Sequence, residues 1–145
     1  MNDDNVLEIS MHIDAQPEIV FPYFTDPSRY VLWMGREAKL DPRPGGTYRV
    51  RMNDNVEAAG EFIELDPPRR LVFTWGWAHD EAVPPGTTRV VITLAEENGG
   101  TRVVLRHHNL PDTDQRDHHK KGWETYLSRL HLRIQGVAPG PDPNA

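Results

Sequence analysis

Apolar and polar residues alternate over Val6–Ile13, with Leu7, Ile9, Met11 and Ile13 on one face and Glu8, Ser10 and His12 on the other. That is the period of a half-buried strand. Asp14 offers an N-cap, and Pro17 suits the first turn of a short helix carrying Ile19, Val20 and Phe24, which Pro22 kinks or shortens. Thr25-Asp26-Pro27 starts a second short helical turn, with Tyr30, Leu32, Trp33 and Met34 as its apolar bulk. An extended segment is expected near Glu37–Asp41. Pro44-Gly45-Gly46 is a turn signal, after which Thr47–Met52 alternates with Tyr48, Val50 and Met52 on one side. Asn53-Asp54-Asn55 is a second turn, and Glu57–Leu65 returns as a strand in which Gly60 marks a bulge or a close contact.

The strongest strand signal is Arg69–Trp77, with Leu71, Phe73, Trp75 and Trp77 in register. Ala78–Gly86 reads as a loop. Thr88–Glu96 and Thr101–His108 form a hairpin across Glu97-Asn98-Gly99-Gly100. The period then changes from two to 3.6 over Gln115–Gln135, where Trp123, Leu127, Leu130 and Ile134 fall on one face, with Tyr126 beside them and His119 one turn earlier. A helix of that length reaches about 30 Å, enough to lie across a small sheet. Residues 1–136 are expected to form a single domain, and 137–145, with three prolines and a glycine, a disordered tail. The sum is an α+β protein: a strand, two short helices, about six strands joined by tight turns, and one long helix on a curved antiparallel sheet.

Bulk composition narrows the function more than it identifies it. A formal net charge of −6 over 145 residues argues against a nucleic-acid surface, which needs a basic face. The absence of cysteine excludes disulfides and thiolate chemistry. No apolar run approaches the roughly 20 residues of a membrane span, and the start, Met1-Asn2-Asp3-Asp4-Asn5, lacks signal-peptide character. A cytoplasmic protein is the expectation.

Candidate chemistry is sparse. His107-His108 and His118-His119 suggest a metal cluster at first sight, but neighbours on a strand point to opposite faces and neighbours on a helix diverge by about 100°. No zinc-ligand spacing occurs, and no metal is expected. Glu61 and Glu64 face opposite ways, while Glu57 and Glu61 share a face about 13 Å apart, so neither pair can work as acid and base. A GxSxG nucleophile motif is absent. Gly45-Gly46 and Gly99-Gly100 are turn glycines without a phosphate-loop pattern, so no cofactor is expected.

The order of motifs resembles the START-like helix-grip superfamily. Within it, the chain is most similar to the branch related to the C-terminal domain of the activator of the heat-shock protein 90 ATPase. The resemblance spans residues 7–135. It is carried by Ile13-Asp14-Ala15-Gln16-Pro17-Glu18-Ile19-Val20-Phe21, Phe24-Thr25-Asp26-Pro27 with Trp33, and Pro44-Gly45-Gly46. It continues in Gly60-Glu61-Phe62-Ile63-Glu64-Leu65 and Pro68-Arg69-Arg70-Leu71-Val72-Phe73-Thr74-Trp75. Leu105-Arg106-His107-His108-Asn109-Leu110 and Gly122-Trp123 with Leu127 and Leu130 complete it. Two departures are Asn109, where the family often has glycine, and Pro22 inside the first helix. Asparagine tolerates positive φ better than most residues.

The resemblance implies a hydrophobic cavity between the sheet and the long helix. Its expected lining is Trp33, Tyr48, Val50, Phe62, Phe73, Trp75, Trp77, Trp123, Tyr126 and Leu127, with His107 and His119 supplying polarity. Plain core packing would use the same aromatic residues. Three functions follow. The first is binding of an apolar or aromatic small molecule or lipid. The second is a co-chaperone partnership with heat-shock protein 90, against which stands the expectation of only one domain. The third is a cyclase- or hydrolase-type enzyme using a cavity histidine. Homodimerisation through a sheet edge or loop is left open.

Overall fold

The computed structural model describes residues 6–144. Its elements run β1 (Leu7–Ile13), α1 (Pro17–Val20), α2 (Pro22–Thr25), α3 (Pro27–Tyr30), β2 (Glu37–Leu40), β3 (Thr47–Arg51), β4 (Glu57–Asp66), β5 (Arg70–Trp75), β6 (Thr88–Glu97), β7 (Gly100–His108) and α4 (Thr113–Ile134). The strands form one antiparallel sheet in the order β1-β7-β6-β5-β4-β3-β2. This is the expected α+β helix-grip arrangement. Six strands, β2 to β7, neighbour one another in chain order, and β1 closes beside β7.

Register explains the core. Leu7, His107, Val90, Phe73 and Phe62 are successive cross-strand partners from β1 to β4, and Ile9, Leu105, Ile92 and Leu71 form the adjoining row. Period-two side-chain direction places both rows on the same face. All but Ile9 are buried. Tight turns hold that register: Asn98 and Gly99 both have positive φ (50° and 80°) between β6 and β7, the two-residue geometry that matches strand twist. The α4 helix supplies the opposing apolar face, burying His119, Trp123, Tyr126, Leu127 and Leu130.

Several boundaries differ from the sequence reading. The α4 helix starts two residues earlier than expected because Asp112 caps it, its Oδ1 accepting from the Gln115 amide at 2.8 Å. Pro22 does not sit inside one helix; it begins α2, so three four-residue helices replace the expected two. Asp14 is not the cap of α1, a position held by Gln16. The bulge in β4 lies between Phe62 and Glu64 and not at Gly60. Gly60 answers to the alternative, close contact, since a Cβ there would overlap the Thr74 carbonyl.

Residues 137–144, where a disordered tail was expected from composition, are laid back over the domain. Gly136, at φ +81°, ends α4 in a six-to-one turn: the Val137 amide donates to Leu132 O at 2.8 Å and the Gly136 amide to Arg133 O at 3.0 Å. The chain then returns along α4, where Arg129 Nη1 donates to the carbonyls of Gly140 and Pro141 at 3.0 and 3.2 Å.

Gly60→Ala is expected to lower stability by about 1–3 kcal/mol, because the Thr74 backbone must move to admit a methyl group. A urea titration reads this as a lower midpoint at unchanged slope.

Candidate functional site

Between the far end of β5 and α4 lies a cavity of about 600 Å³. One wall is aromatic. Trp75 ends β5, Trp77 follows Gly76 in an isolated bridge to Ala58, and Trp123 faces them from α4. The Trp75 ring centroid is 5.0 Å from those of both Trp77 and Trp123. Met34, Met52 and Val56 add apolar surface. A stripe along α4 at three- and four-residue spacing, Gln115, His118, His119, Gly122, Thr125 and Tyr126, forms the second wall. His79, Asp80, Lys121 and Asn53 lie around it, and Pro143 and Asn144 of the returning tail close one end.

Beneath the cavity, indoles and imidazoles form a closed hydrogen-bond set. Thr88 Oγ1 donates to the Trp75 carbonyl at 2.7 Å, so it accepts from His107 Nε2 at 2.9 Å. The Trp123 indole donates to His107 Nδ1 at 3.1 Å. His107 is therefore the neutral Nε2–H tautomer. His119 is the opposite one, since its Nδ1 donates to the Gln115 carbonyl at 2.8 Å and its Nε2 accepts from the Trp75 indole at 3.3 Å. Burial pushes His107 well below the ordinary imidazole range, with the neighbouring His119 and His108 charges acting in the same direction. His119 is lowered chiefly by burial too, with its bond to Gln115 and the Asp80 carboxylate opposing the shift. Each ring's acceptor nitrogen already holds an indole N–H. Neither imidazole has a free lone pair with which to take a proton from a ligand.

A second buried polar chain runs from the Tyr48 hydroxyl to that of Tyr30, which in turn meets Met34 Sδ at 3.6 Å. Burial raises both phenols well above their ordinary range. Tyr126 is raised by burial and by its bond to the Asp142 carboxylate. Among the described residues no buried side-chain N or O lacks a partner, and no three His, Asp or Glu side chains converge as metal ligands would.

Of the twelve side chains expected to line a cavity, the structure brings five to it: Trp75, Trp77, His119, Trp123 and Tyr126. The other seven pack into the core beside it. Trp33, Tyr48, Val50, Phe62, Phe73, His107 and Leu127 are buried and sealed from the cavity, Tyr48 lying stacked on Phe73 at 4.1 Å between centroids. Alternation identified the inward face correctly but not which part of that face is covered by α3 and neighbouring side chains. Sequence reasoning missed Met34, Met52, Asn53, Val56, His79, Asp80, Gln115, His118, Lys121, Gly122, Thr125, Pro143 and Asn144. The α4 members could have been found from the stripe through His119 and Tyr126; the loop and tail members leave no periodic signal.

These features define a helix-grip domain with an aromatic-walled cavity beside its long helix. The chain belongs to the family described as activator of Hsp90 ATPase homolog 1-like protein, whose model matches residues 14–134. No curated protein matches it. Among solved structures, an AHSA1-like protein from Rhizobium etli is 42% identical with a TM-score of 0.76, covering 97% of this chain and 88% of that one. DynU16, from the dynemicin biosynthetic locus, superposes with a TM-score of 0.82 at 23% identity. The match covers 96% of this chain, which spans about half (51%) of DynU16. An HSP90 activator from Plasmodium falciparum gives 0.74 at 23% identity, over 90% of this chain and 96% of its own. At these identities the last two share the fold alone. Among the described residues, no helix is long and apolar enough to cross a membrane.

The buried imidazoles set a pH dependence whose sign is fixed. An unfolded histidine takes up a proton near pH 6.5, whereas His107 and His119 in the folded protein do so only at lower pH. Unfolding therefore binds protons below about pH 6.5, and stability is full above that value and falls as pH drops toward the folded pKa values. The melting temperature is expected to fall between pH 7.5 and 5. His107→Phe should flatten part of that slope while lowering stability at pH 7.5 by about 1–3 kcal/mol, because the Trp123 N–H loses its acceptor.

Proposed function

We propose that the protein binds an apolar or aromatic small molecule, such as a lipid or a flat ring system, in the cavity between Trp75, Trp77 and α4. The observation that carries this reading is the cavity itself. A volume of about 600 Å³ lies within the roughly 300–1,000 Å³ of small-molecule sites, which are apolar with a few placed polar groups. Trp75, Trp77 and Trp123 supply rigid contact area. The hydrogen-bond set beneath them keeps two of those indoles oriented before any ligand arrives, which reduces the ordering cost of binding. The engaged imidazoles favour binding over catalysis by a cavity histidine.

A second reading, stimulation of a heat-shock protein 90 ATPase, is favoured by the family to which the chain belongs. It would use an outer surface and leave the cavity as a by-product of the fold. An ATPase assay of the chaperone with and without this protein separates the two.

Gly122 provides a direct test of the cavity. It lines the space, and a side chain added there meets nothing within 4 Å. Gly122→Ala should stabilise the protein by about 0.5–1 kcal/mol through helix propensity. Gly122→Phe should keep the fold yet fill the cavity. N-phenyl-1-naphthylamine is expected to bind the wild type with enhanced dye fluorescence and a raised melting temperature, and to lose both in Gly122→Phe. Equal binding to both proteins would place the dye elsewhere and sink this reading.

A further inference from the structure

The returning tail does more than pack against α4. Asp142 Oδ1 accepts from the Tyr126 hydroxyl at 2.6 Å and from the Asn144 amide at 2.8 Å, while its Oδ2 accepts from the Gly35 amide at 3.3 Å. Tyr126 is a cavity wall residue, and Gly35 directly follows another, Met34. Asn144 donates its side-chain N–H to the Tyr126 oxygen at 2.9 Å, and its carbonyl accepts from Asn53 Nδ2 at 2.9 Å. Pro143 and Asn144 themselves face the cavity. A carboxylate carried on the protein's own chain thus occupies a seat made of a main-chain N–H and the phenol O–H of a residue that lines the cavity.

We propose that residues 140–144 are a displaceable strap, and that the Asp142 carboxylate holds the position taken by the acidic group of an incoming ligand. This rests on the cavity-binding reading and narrows it to apolar or aromatic molecules bearing a carboxylate. Two observations beyond the seat support displacement. The strap is tied down by exposed polar contacts, the Arg129 bonds to Gly140 and Pro141 and the Asn53 bond to Asn144, while Ala138, Gly140 and Asp142 are exposed or half-buried and bring no apolar side chain into the core. Such segments open at low free energy. The donors of the seat belong to the rigid body: Tyr126 lies on α4, and Gly35 lies two residues before β2 and is packed against Val50. When the strap lifts, the Tyr126 O–H and the Gly35 N–H lose their acceptor beside the cavity that Tyr126 lines, and a ligand carboxylate restores both bonds. A ligand that requires the open state has its affinity scaled down by the fraction of time the strap is open.

The test compares a neutral and an anionic probe, N-phenyl-1-naphthylamine and 2-naphthoate, on the full-length protein. Affinities are measured for the wild type, Asp142→Ala and Asp142→Ala/Tyr126→Phe, with circular dichroism to verify the fold. Asp142→Ala should tighten 2-naphthoate by about tenfold, the value of a hydrogen bond to a charged group, and the neutral dye by clearly less. Adding Tyr126→Phe should remove most of the 2-naphthoate gain relative to the dye. A gain that survives Tyr126→Phe would reflect loss of negative charge alone and overturn the seat. Equal affinities in wild type and Asp142→Ala for both probes would overturn the strap. Binding of the dye with no binding of 2-naphthoate to any of the three proteins would overturn the seat, whereas failure of both probes would remove the cavity-binding reading beneath it.

Discussion

Everything in this domain depends on how the long helix is held against the sheet, and a buried polar interaction does much of that holding. Trp123 and His119 reach from α4 to His107 on β7 and Trp75 on β5 through indole-to-imidazole bonds of 3.1 and 3.3 Å. Apolar packing alone is tolerant of sliding, because dispersion and water exclusion are non-directional. A hydrogen bond inside a low-dielectric core is directional, and leaving it unmade is costly. Two such bonds at different points along α4 fix its rotation and its translation together. The tautomers of both histidines follow from that constraint, and so does the orientation of the indoles that wall the cavity.

The arrangement also accounts for where space is left. Along most of the sheet, side chains from α4 and the α3 segment meet the inward rows without gaps, as when Tyr48 inserts between Phe73, Phe62 and Tyr30. At the Trp75 end the strand breaks at Gly76, the chain swings out through Trp77 and His79, and α4 presents Gly122 where a larger side chain would have filled the gap. An absent side chain and a diverging strand together produce the cavity. The tail then borders it with polar atoms, so the space is aromatic on one side and hydrogen-bonding on the other.

The family's fold supplies the frame, and local side chains supply the chemistry. Shared topology brings the sheet and helix together, but a fold carries no activity by itself. In this chain that chemistry is the combination of three cavity indoles, two imidazoles whose lone pairs are already engaged, and an aspartate delivered by the segment after α4.

Strand alternation, turn residues and the change to helical period were enough to establish the strands, the long helix and its inward face, because period-two and period-3.6 patterns record burial directly. Asn109 could be read as a positive-φ position, and it adopts φ 72°. Gly60 could be flagged as a close contact, though not assigned its partner. The division of the inward face into core and cavity was not legible: Trp75 and Phe73 carry the same pattern, yet one lines the cavity and the other is sealed by Tyr48. The course of the tail was not legible for a related reason, since it is set by hydrogen bonds to Tyr126, Gly35 and Arg129 that no local composition encodes. Periodicity reports which way a side chain points. What it meets there is decided by residues distant in sequence, and only the folded chain brings them together.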